Sequence, residues 1–390
     1  MFIKKPVLII CSVLLVVVTA LGTVMLVNPF GALNFWEFLK FNTGVSVIEK
    51  YYYEDVTSKQ LLDGALLGVS ASVDDPYTVY MNEEEAGSFL ESIESDDYTG
   101  VGLYISESEE GDGVIIVSPL ADSPGEKAGL APGDKILKVD GQPVAGISID
   151  RVASDMKGPE GTEVVLTVLK KASGETVDVK LKRATIKRET VASEMLDGDC
   201  GYIQISQFGV NTFEEFVTHF NKLAEGGMDY VVLDLRNNPG GYMDMAVQIA
   251  DIFVDSGEIV YTMDKYGRRN DYMADEDKVK APMVILTNGG TASASEVLLG
   301  ALRDHGIAKS VGERTFGKGV TQIPYKFWDG SILKVTDSRY YTPKGICIDH
   351  EGIAPDVEVK MTDEEYAGLI MGDIESDKQL KKAIEILREK

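Results

Sequence analysis

Two glycine-bearing loops carry the side chains whose types and spacing suit nucleophilic chemistry. The first, Thr287-Asn288-Gly289-Gly290-Thr291-Ala292-Ser293-Ala294-Ser295-Glu296, runs into a helical pattern at Val297, Leu298, Ala301 and Leu302. Ser293 and Glu296 have the Ser-x-x-Glu spacing of a capping box, so one reading is that Ser293 caps this helix. The other uses the same position: a hydroxyl at a helix N-terminus lies in a positive field beside N–H groups that favour an oxyanion. Thr291 and Ser295 are rival hydroxyls on the same grounds. The second loop, Asp234-Leu235-Arg236-Asn237-Asn238-Pro239-Gly240-Gly241, follows an apolar strand, and its paired glycines let backbone N–H groups approach a ligand closely. It lacks the Lys and Ser/Thr of a phosphate-binding P-loop, which sets nucleotide binding aside.

A serine nucleophile needs a base. His219 lies in an amphipathic helical pattern, His305 precedes Gly306, and His350 falls in an acidic turn, so none is well placed; the Gly-x-Ser-x-Gly elbow is also absent around Ser293. Lys318, in Thr315-Phe316-Gly317-Lys318-Gly319, is the better candidate, with Phe316 nearby and no carboxylate neighbour in sequence. Desolvation without a paired anion lowers a lysine pKa and leaves the neutral amine that a general base must be. The opposing reading is a solvated loop lysine. If residues 319–323 form a strand, Lys318, Val320 and Gln322 share one face, and the Gln322 side-chain oxygen could orient the amine.

Positioning these loops takes a multidomain α/β chain. Pro6 to Val27 is an uncharged apolar run of 22 residues preceded by Lys4 and Lys5. At about 1.5 Å per residue it spans about 33 Å, enough for a bilayer core. The run is too long for a signal-peptide core, and the charge asymmetry places the short N-terminus inside, so residues 1–30 read as a cytoplasmic stub and transmembrane anchor. Residues 31–92 read as a helical arm, broken by Asp74-Asp75-Pro76-Tyr77. Residues 93–186 read as a small β domain with strands at Val101–Ser106, Val114–Ser118, Lys135–Val139, Val164–Leu169 and Thr176–Leu181 and a helix at Ile149–Met156. Residues 187–362 alternate strand and helix, predicting an α/β core with its working loops at the carboxyl ends of strands. In the tail, 363–390, Leu380, Ala383, Ile384 and Leu387 recur at helical spacing and predict a docking or dimer helix.

The charge narrows the function classes. Of the 390 residues, 63 are Asp or Glu and 38 Lys or Arg, a formal charge of −25, which argues against nucleic-acid binding. From Gln60 to Glu126 there are sixteen acids and no base. Cys11, Cys200 and Cys347 exclude a disulfide-dense module and a four-cysteine zinc site; Cys200 and Cys347 could pair if the fold brings them together, and otherwise read as buried free thiols.

With these residues in hand, the chain resembles the C-terminal processing peptidases, or tail-specific proteases, a family of Ser-Lys serine proteases with an inserted PDZ domain. The resemblance covers nearly everything after about residue 45. It rests on Thr291-Ala292-Ser293-Ala294-Ser295-Glu296, then Thr315-Phe316-Gly317-Lys318-Gly319, then Gln322, with support from Asp75-Pro76-Tyr77, Ala128-Gly129-Leu130, Asp234-Leu235-Arg236-Asn237-Asn238 and Tyr341-Thr342-Pro343. The separation of 25 residues between Ser293 and Lys318 matches the family and singles out Ser293 over Ser295. The resemblance implies that Ser293 is the nucleophile, Lys318 the general base and Gln322 the residue positioning the lysine. It implies an oxyanion hole from backbone N–H groups of Ala294 and of Gly240 or Gly241. It also implies a PDZ domain in which Tyr98-Thr99-Gly100-Val101-Gly102-Leu103 receives a C-terminal carboxylate, while the next strand and the helix carrying Val152 and Met156 form the groove. Family members often have Arg where Lys157 stands, a position linked to PDZ control; a lysine keeps the charge but not the fork. The function to expect is a membrane-anchored, extracytoplasmic serine endopeptidase acting on proteins with apolar C-termini, without metal or organic cofactor. The helical arm and tail helix offer surfaces for a homodimer. The rival readings are a tethered PDZ adaptor with a degenerate core and a Ser-His-Asp esterase, which requires a histidine at Ser293.

Overall fold

The computed structural model describes residues 12–19, 22, 35–94, 98–108, 112–120, 122–147, 149–186, 189–275, 278–362, 365 and 376–389. Of the expected anchor, residues 12–19 and 22 are helical and the remainder lies outside the described residues. Among the described residues no helix is long and apolar enough to cross a membrane. The chain divides into two units, residues 1–82 with 325–334, and residues 83–324 with 335–390. The arm therefore takes in a short segment, 325–334, that the sequence assigned to the core.

In the first unit α1 (Phe35–Tyr51) and α2 (Ser58–Ala71) precede β1 (Val79–Met81). Thr57 and Gln60 form a capping box that starts α2. Asp75 accepts from the Tyr77 N–H and the Thr78 hydroxyl, which makes the expected turn between α2 and β1. Val79 to Met81 pair antiparallel with Lys334 to Ile332.

The second unit opens with α3 (Glu83–Glu94) and β2 (Tyr98–Gly100). A β domain follows: β3 (Leu103–Glu107), β4 (Val114–Pro119), α4 (Pro124–Lys127), β5 (Lys135–Val139), β6 (Gln142–Pro143), α5 (Ile149–Met156), β7 (Glu163–Leu169) and β8 (Thr176–Lys182), with β3-β4-β5-β7-β8 adjacent in that order. Its core, with Ile116, Ile136, Val152, Val164, Leu166 and Val168, comes from alternate strand positions and one face of α5. The chain leaves through β9 (Ala184–Ile186), which pairs antiparallel with β2.

The protease-sized remainder contains β10 (Val191–Leu196), β11 (Cys200–Ile205), α6 (Thr212–Glu225), β12 (Tyr230–Asp234), α7 (Met243–Asp251), β13 (Gly257–Asp264), β14 (Arg269–Ala274), β15 (Met283–Thr287), α8 (Ala294–Asp304), β16 (Ala308–Gly312), β17 (Val320–Lys326), β18 (Ile332–Tyr341), β19 (Val357–Glu358) and α9 (Lys378–Arg388). The central sheet runs β10-β11-β12-β15-β16-β19, parallel from β11 onward. Every residue of β12 and β15 is buried, as parallel strands covered on both faces require. Strands added in one direction with right-handed crossovers lay their helices on one face. Val231, Leu233 and Ile285 accordingly pack among α6, α7 and α8, while Val232, Val284 and Leu286 face the opposite core. That second face is closed by α9, through Leu380, Ala383, Ile386 and Leu387. The apolar stripe of the tail helix is thus buried within its own chain, the docking alternative of the expectation for this helix. The sequence reading also lacked the ladder of β14, β13 and the end of β18, where Tyr261 lies opposite Tyr341. Cys200 and Cys347 are free thiols.

Candidate active site

The loop carrying Ser293 leaves β15 at its carboxyl end and enters α8 through Ser293. Ser293 has φ 56° and ψ −118°, outside the regions open to ordinary side chains. Such a conformation costs about 1–3 kcal/mol and persists only where the surroundings over-determine it. Here they do: the N–H groups of Glu296 and Val297 donate to the Ser293 carbonyl, and the Ala292 N–H donates to the Asn238 carbonyl.

Glu296 holds the two loops together. It is fully buried, yet its carboxylate accepts from Ser293 N at 2.9 Å, Lys318 N at 2.9 Å, Gly317 N at 2.8 Å and Thr315 Oγ1 at 2.5 Å. Lys318 has no carboxylate neighbour in sequence, and the one that reaches it, from a different part of the chain, binds its backbone N–H. Burial raises the Glu296 pKa above the usual glutamate value, against four hydrogen bonds that favour the anion. Lys318 itself is half-buried and lies in the loop before β17, which begins at Val320, one residue later than expected. The loop is braced from outside, since His350 N donates to the Gly317 carbonyl and a Cβ on Gly319 would come within 2.4 Å of Asp349 N. Gln322 lies four residues beyond Lys318, and its Nε2 donates to the Val320 carbonyl.

The Gly-Gly loop abuts Ser293. A Cβ on Gly240, whose φ is 100°, would lie 2.7 Å from Ser293 Cβ and 3.0 Å from Ala294 N. No side chain fits there. The Gly240 N–H donates to Asn238 Oδ1 at 2.9 Å, so of the two glycines Gly241 is the better oxyanion donor to pair with Ala294. Gly241 is pinned by Phe208, which takes the Tyr242 N–H on its carbonyl and donates to the Gly240 carbonyl. Asn237 and Asn288 tie the loops reciprocally, Asn237 N to Asn288 Oδ1 at 2.9 Å and Asn288 Nδ2 to Asn237 Oδ1 at 2.8 Å. The rival hydroxyls have structural partners: Thr291 Oγ1 donates to the Leu235 carbonyl and Ser295 Oγ to the Asn238 carbonyl, both buried.

The histidines make their contacts elsewhere. His219 Nδ1 meets Ser193 Oγ, His305 Nε2 meets the Glu258 carbonyl, and His350 lies beside Asp349. In the β domain the expected carboxylate loop is shorter than the sequence implied. Tyr98, Thr99 and Gly100 pair with Ile186, Thr185 and Ala184, leaving Val101 and Gly102 as the turn and Leu103 as the start of β3. The Val101 and Gly102 carbonyls accept from Gly125 N and Leu120 N. Val152 and Met156 belong to the core. Lys157 is exposed just after α5.

Three regions match known families: residues 31–85 the activating protease CtpB N-terminal domain, 115–170 the PDZ domain and 199–359 peptidase family S41. The chain is 39% identical over 336 residues to the carboxy-terminal processing protease CtpA of Bacillus subtilis, covering 85% of this chain and 71% of that one. This chain belongs to peptidase family S41. It is a serine-type peptidase with carboxy-terminal processing proteases among its relatives. A probable CtpA-like serine protease of Staphylococcus aureus is likewise 39% identical, and the match spans 63% of its length. Among solved structures, the photosystem II D1 C-terminal processing protease superposes with a TM-score of 0.52 at 30% identity, covering 87% of this chain and 98% of that one. A putative S41 protease from Bacteroides fragilis shares the fold, with a TM-score of 0.54 at 18% identity.

The residues that sequence reasoning missed are the supporting ones. Glu296 was visible only as a helix cap, and Asn238, Asn288 and Thr315 carried no signal beyond their membership of the loops.

Proposed function

We propose that this S41 peptidase is a membrane-anchored, extracytoplasmic endopeptidase that holds the apolar C-terminus of a protein substrate on its PDZ domain and cleaves nearby with a Ser293–Lys318 dyad. The observation that carries the reading is the Glu296 carboxylate, which binds the backbone N–H of both dyad residues while Gly240 packs against Ser293. In the reaction the neutral Lys318 amine takes the Ser293 hydroxyl proton as Oγ attacks the scissile carbonyl. The tetrahedral oxyanion is held by the N–H groups of Ala294 and Gly241. Lys318 then returns the proton to the leaving amine, and water, deprotonated by the same amine, hydrolyses the acyl-enzyme. Gln322, on the strand that follows, positions the lysine. Anchoring rests on the charge-free run Pro6 to Val27 behind Lys4 and Lys5. The exposed aromatic residues of α1, with Trp36 and Phe38 among them, offer a surface for a homodimer.

The test incubates the detergent-solubilised full chain with a peptide ending in an apolar tail. Ser293→Ala and Lys318→Ala are each expected to abolish cleavage, by 10³-fold or more on the order of what removal of a nucleophile or base costs. Cleavage that survives both substitutions would falsify the dyad.

A further inference from the structure

One residue of the Gly-Gly loop reaches out of the site. Arg236, four residues before Gly240, is buried, and its guanidinium donates to Asp234 at 2.5–3.0 Å, to Asp377 Oδ2 at 2.8 Å and to Gln379 Oε1 at 3.0 Å. Asp234, Asp377 and Gln379 are themselves buried. Asp377 is the N-cap of α9: its Oδ1 accepts from Gln379 N and Leu380 N, leaving Oδ2 for Arg236. Gln379 is fixed in turn by donating Nε2 to the Val359 carbonyl at 2.7 Å. Among the described residues, three side chains of the loop 236–241, those of Arg236, Asn237 and Asn238, tie it to its surroundings. Two of them, Asn237 to Asn288 and Asn238 to Gly240 and the Ile205 carbonyl, close within the loops and the adjoining strand. The third alone joins the loop to an element 141 residues later.

We infer that Asp377, with Gln379, is a positioning residue for peptide hydrolysis: docking of α9 sets Arg236 and thereby holds the Gly240-Gly241 backbone at the distance from Ser293 that the oxyanion hole needs. A carboxylate is required here because the buried guanidinium presents a fork of donors, and one carboxylate, that of Asp234, answers only part of it. With the second anion absent, Arg236 has a reason to turn toward water, and Asn237 and Asn238 are the next residues along the backbone it would pull. The inference rests on the catalytic reading of Ser293 given above.

Asp377→Asn separates the two duties of the residue. Asparagine caps a helix as well as aspartate does, so α9 keeps its cap, while the negative charge facing Arg236 is removed. In the full chain with an apolar-tailed peptide, Asp377→Asn is expected to lower kcat at least tenfold, and by no more than the about 10²–10³ seen for outright loss of an oxyanion donor, with KM within about twofold of wild type. Lys381→Ala, on the exposed side of the same helix, is expected to behave as wild type. The double variant Arg236→Met, Asp377→Asn leaves the buried Asp234 carboxylate without its guanidinium, so its melting temperature is expected to fall below that of Asp377→Asn and its kcat to stay low. A wild-type kcat in Asp377→Asn, a change confined to KM, or a kcat restored toward wild type in the double variant overturns the inference. If Ser293→Ala retains activity, the catalytic reading fails instead; if Ser293→Ala is dead and Asp377→Asn is normal, only the positioning role fails.

Discussion

Glu296 decides whether two distant loops form one site, and its ionisation state is therefore the quantity to test at the scale of single residues. Four donors converge on its carboxylate, three backbone N–H groups and one hydroxyl, and none of the four is a charged side chain. Protonation would add a proton to an oxygen already faced by donors, loosening Ser293 and Lys318 together. Because burial raises the folded-state pKa above the ordinary value of 4.5, the folded protein holds this proton more tightly than the unfolded chain does. Glu296 thus contributes stability that is full below the unfolded pKa and lost as pH rises through its raised folded pKa. Relative to Glu296→Gln, wild type should lose stability as pH climbs through that window, read by denaturant melts at a series of pH values. A pH-independent difference between the two would contradict the raised pKa. At neutral pH Glu296→Gln should also reduce kcat by at least tenfold, since its amide NH2 turns a donor toward donors, at a cost of about 1–3 kcal/mol per unsatisfied buried group. Ser293 and Lys318, the proposed nucleophile and base, were legible as residue types with a family spacing. Glu296 was legible only as a cap, because its other three partners come from a loop about twenty residues further along the chain.

Among the elements, α5 and the exit strand of the PDZ domain are joined by one arginine that the sequence reading did not single out. Arg183 lies between β8 and β9, is buried, and donates to the carbonyls of Asp155, Met156 and Glu163 and to Thr162 Oγ1, at 2.9–3.1 Å. It therefore caps the last carbonyls of α5 from the residue just before β9, the strand that pairs with β2. Lys157 was the expected regulatory position, yet Arg183 is the buried group linking helix to exit strand. Arg183→Met would leave those carbonyls unanswered, destabilising the PDZ domain by about 2 kcal/mol and weakening binding of an apolar-tailed peptide several-fold. Calorimetric titration of the peptide in a Ser293→Ala background measures this; unchanged affinity would remove Arg183 from the groove. The PDZ strands and the parallel core could be read because each carries its own pattern, alternating in β7 and a continuous apolar run in β12 up to Asp234 and in β15 up to Thr287. The ladder of β13, β14 and β18 could not. β14, Arg269 to Ala274, is a largely exposed polar edge, and Tyr261 finds Tyr341 only across eighty residues of chain. The tail helix was readable as an amphipathic stripe, but what covers the stripe depends on the one-sided helix layer of the sheet, which is a property of the topology.

For the molecule as a whole, the charge of −25 is concentrated, with sixteen acids from Gln60 to Glu126 leaving −9 for everything else. Folding answers a few of them locally. Lys135 reaches Asp112 at 2.8 Å, holding that carboxyl below its usual pKa, and Glu83, Glu84 and Glu85 occupy the first turn of α3, where the helix dipole favours them. Close pairing of this kind cancels short-range interactions but leaves the excess of negative charge that an approaching substrate meets at long range. The carboxylate turn at Val101 and Gly102 lies inside this acidic stretch of sequence, so a substrate tail that ends in an anion should be repelled unless it brings its own positive charge. Peptides with Lys or Arg a few residues upstream of an apolar C-terminus should therefore be cleaved faster than their Asp or Glu counterparts at low salt, chiefly through kcat/KM. The preference, about fivefold to tenfold if it arises from steering, should collapse near 1 M salt, where the Debye length falls to about 3 Å. Equal kcat/KM for the basic and acidic peptides at low salt would mean that the acids only solvate this face, whereas a preference that persists at high salt would point to a direct contact with a particular carboxylate.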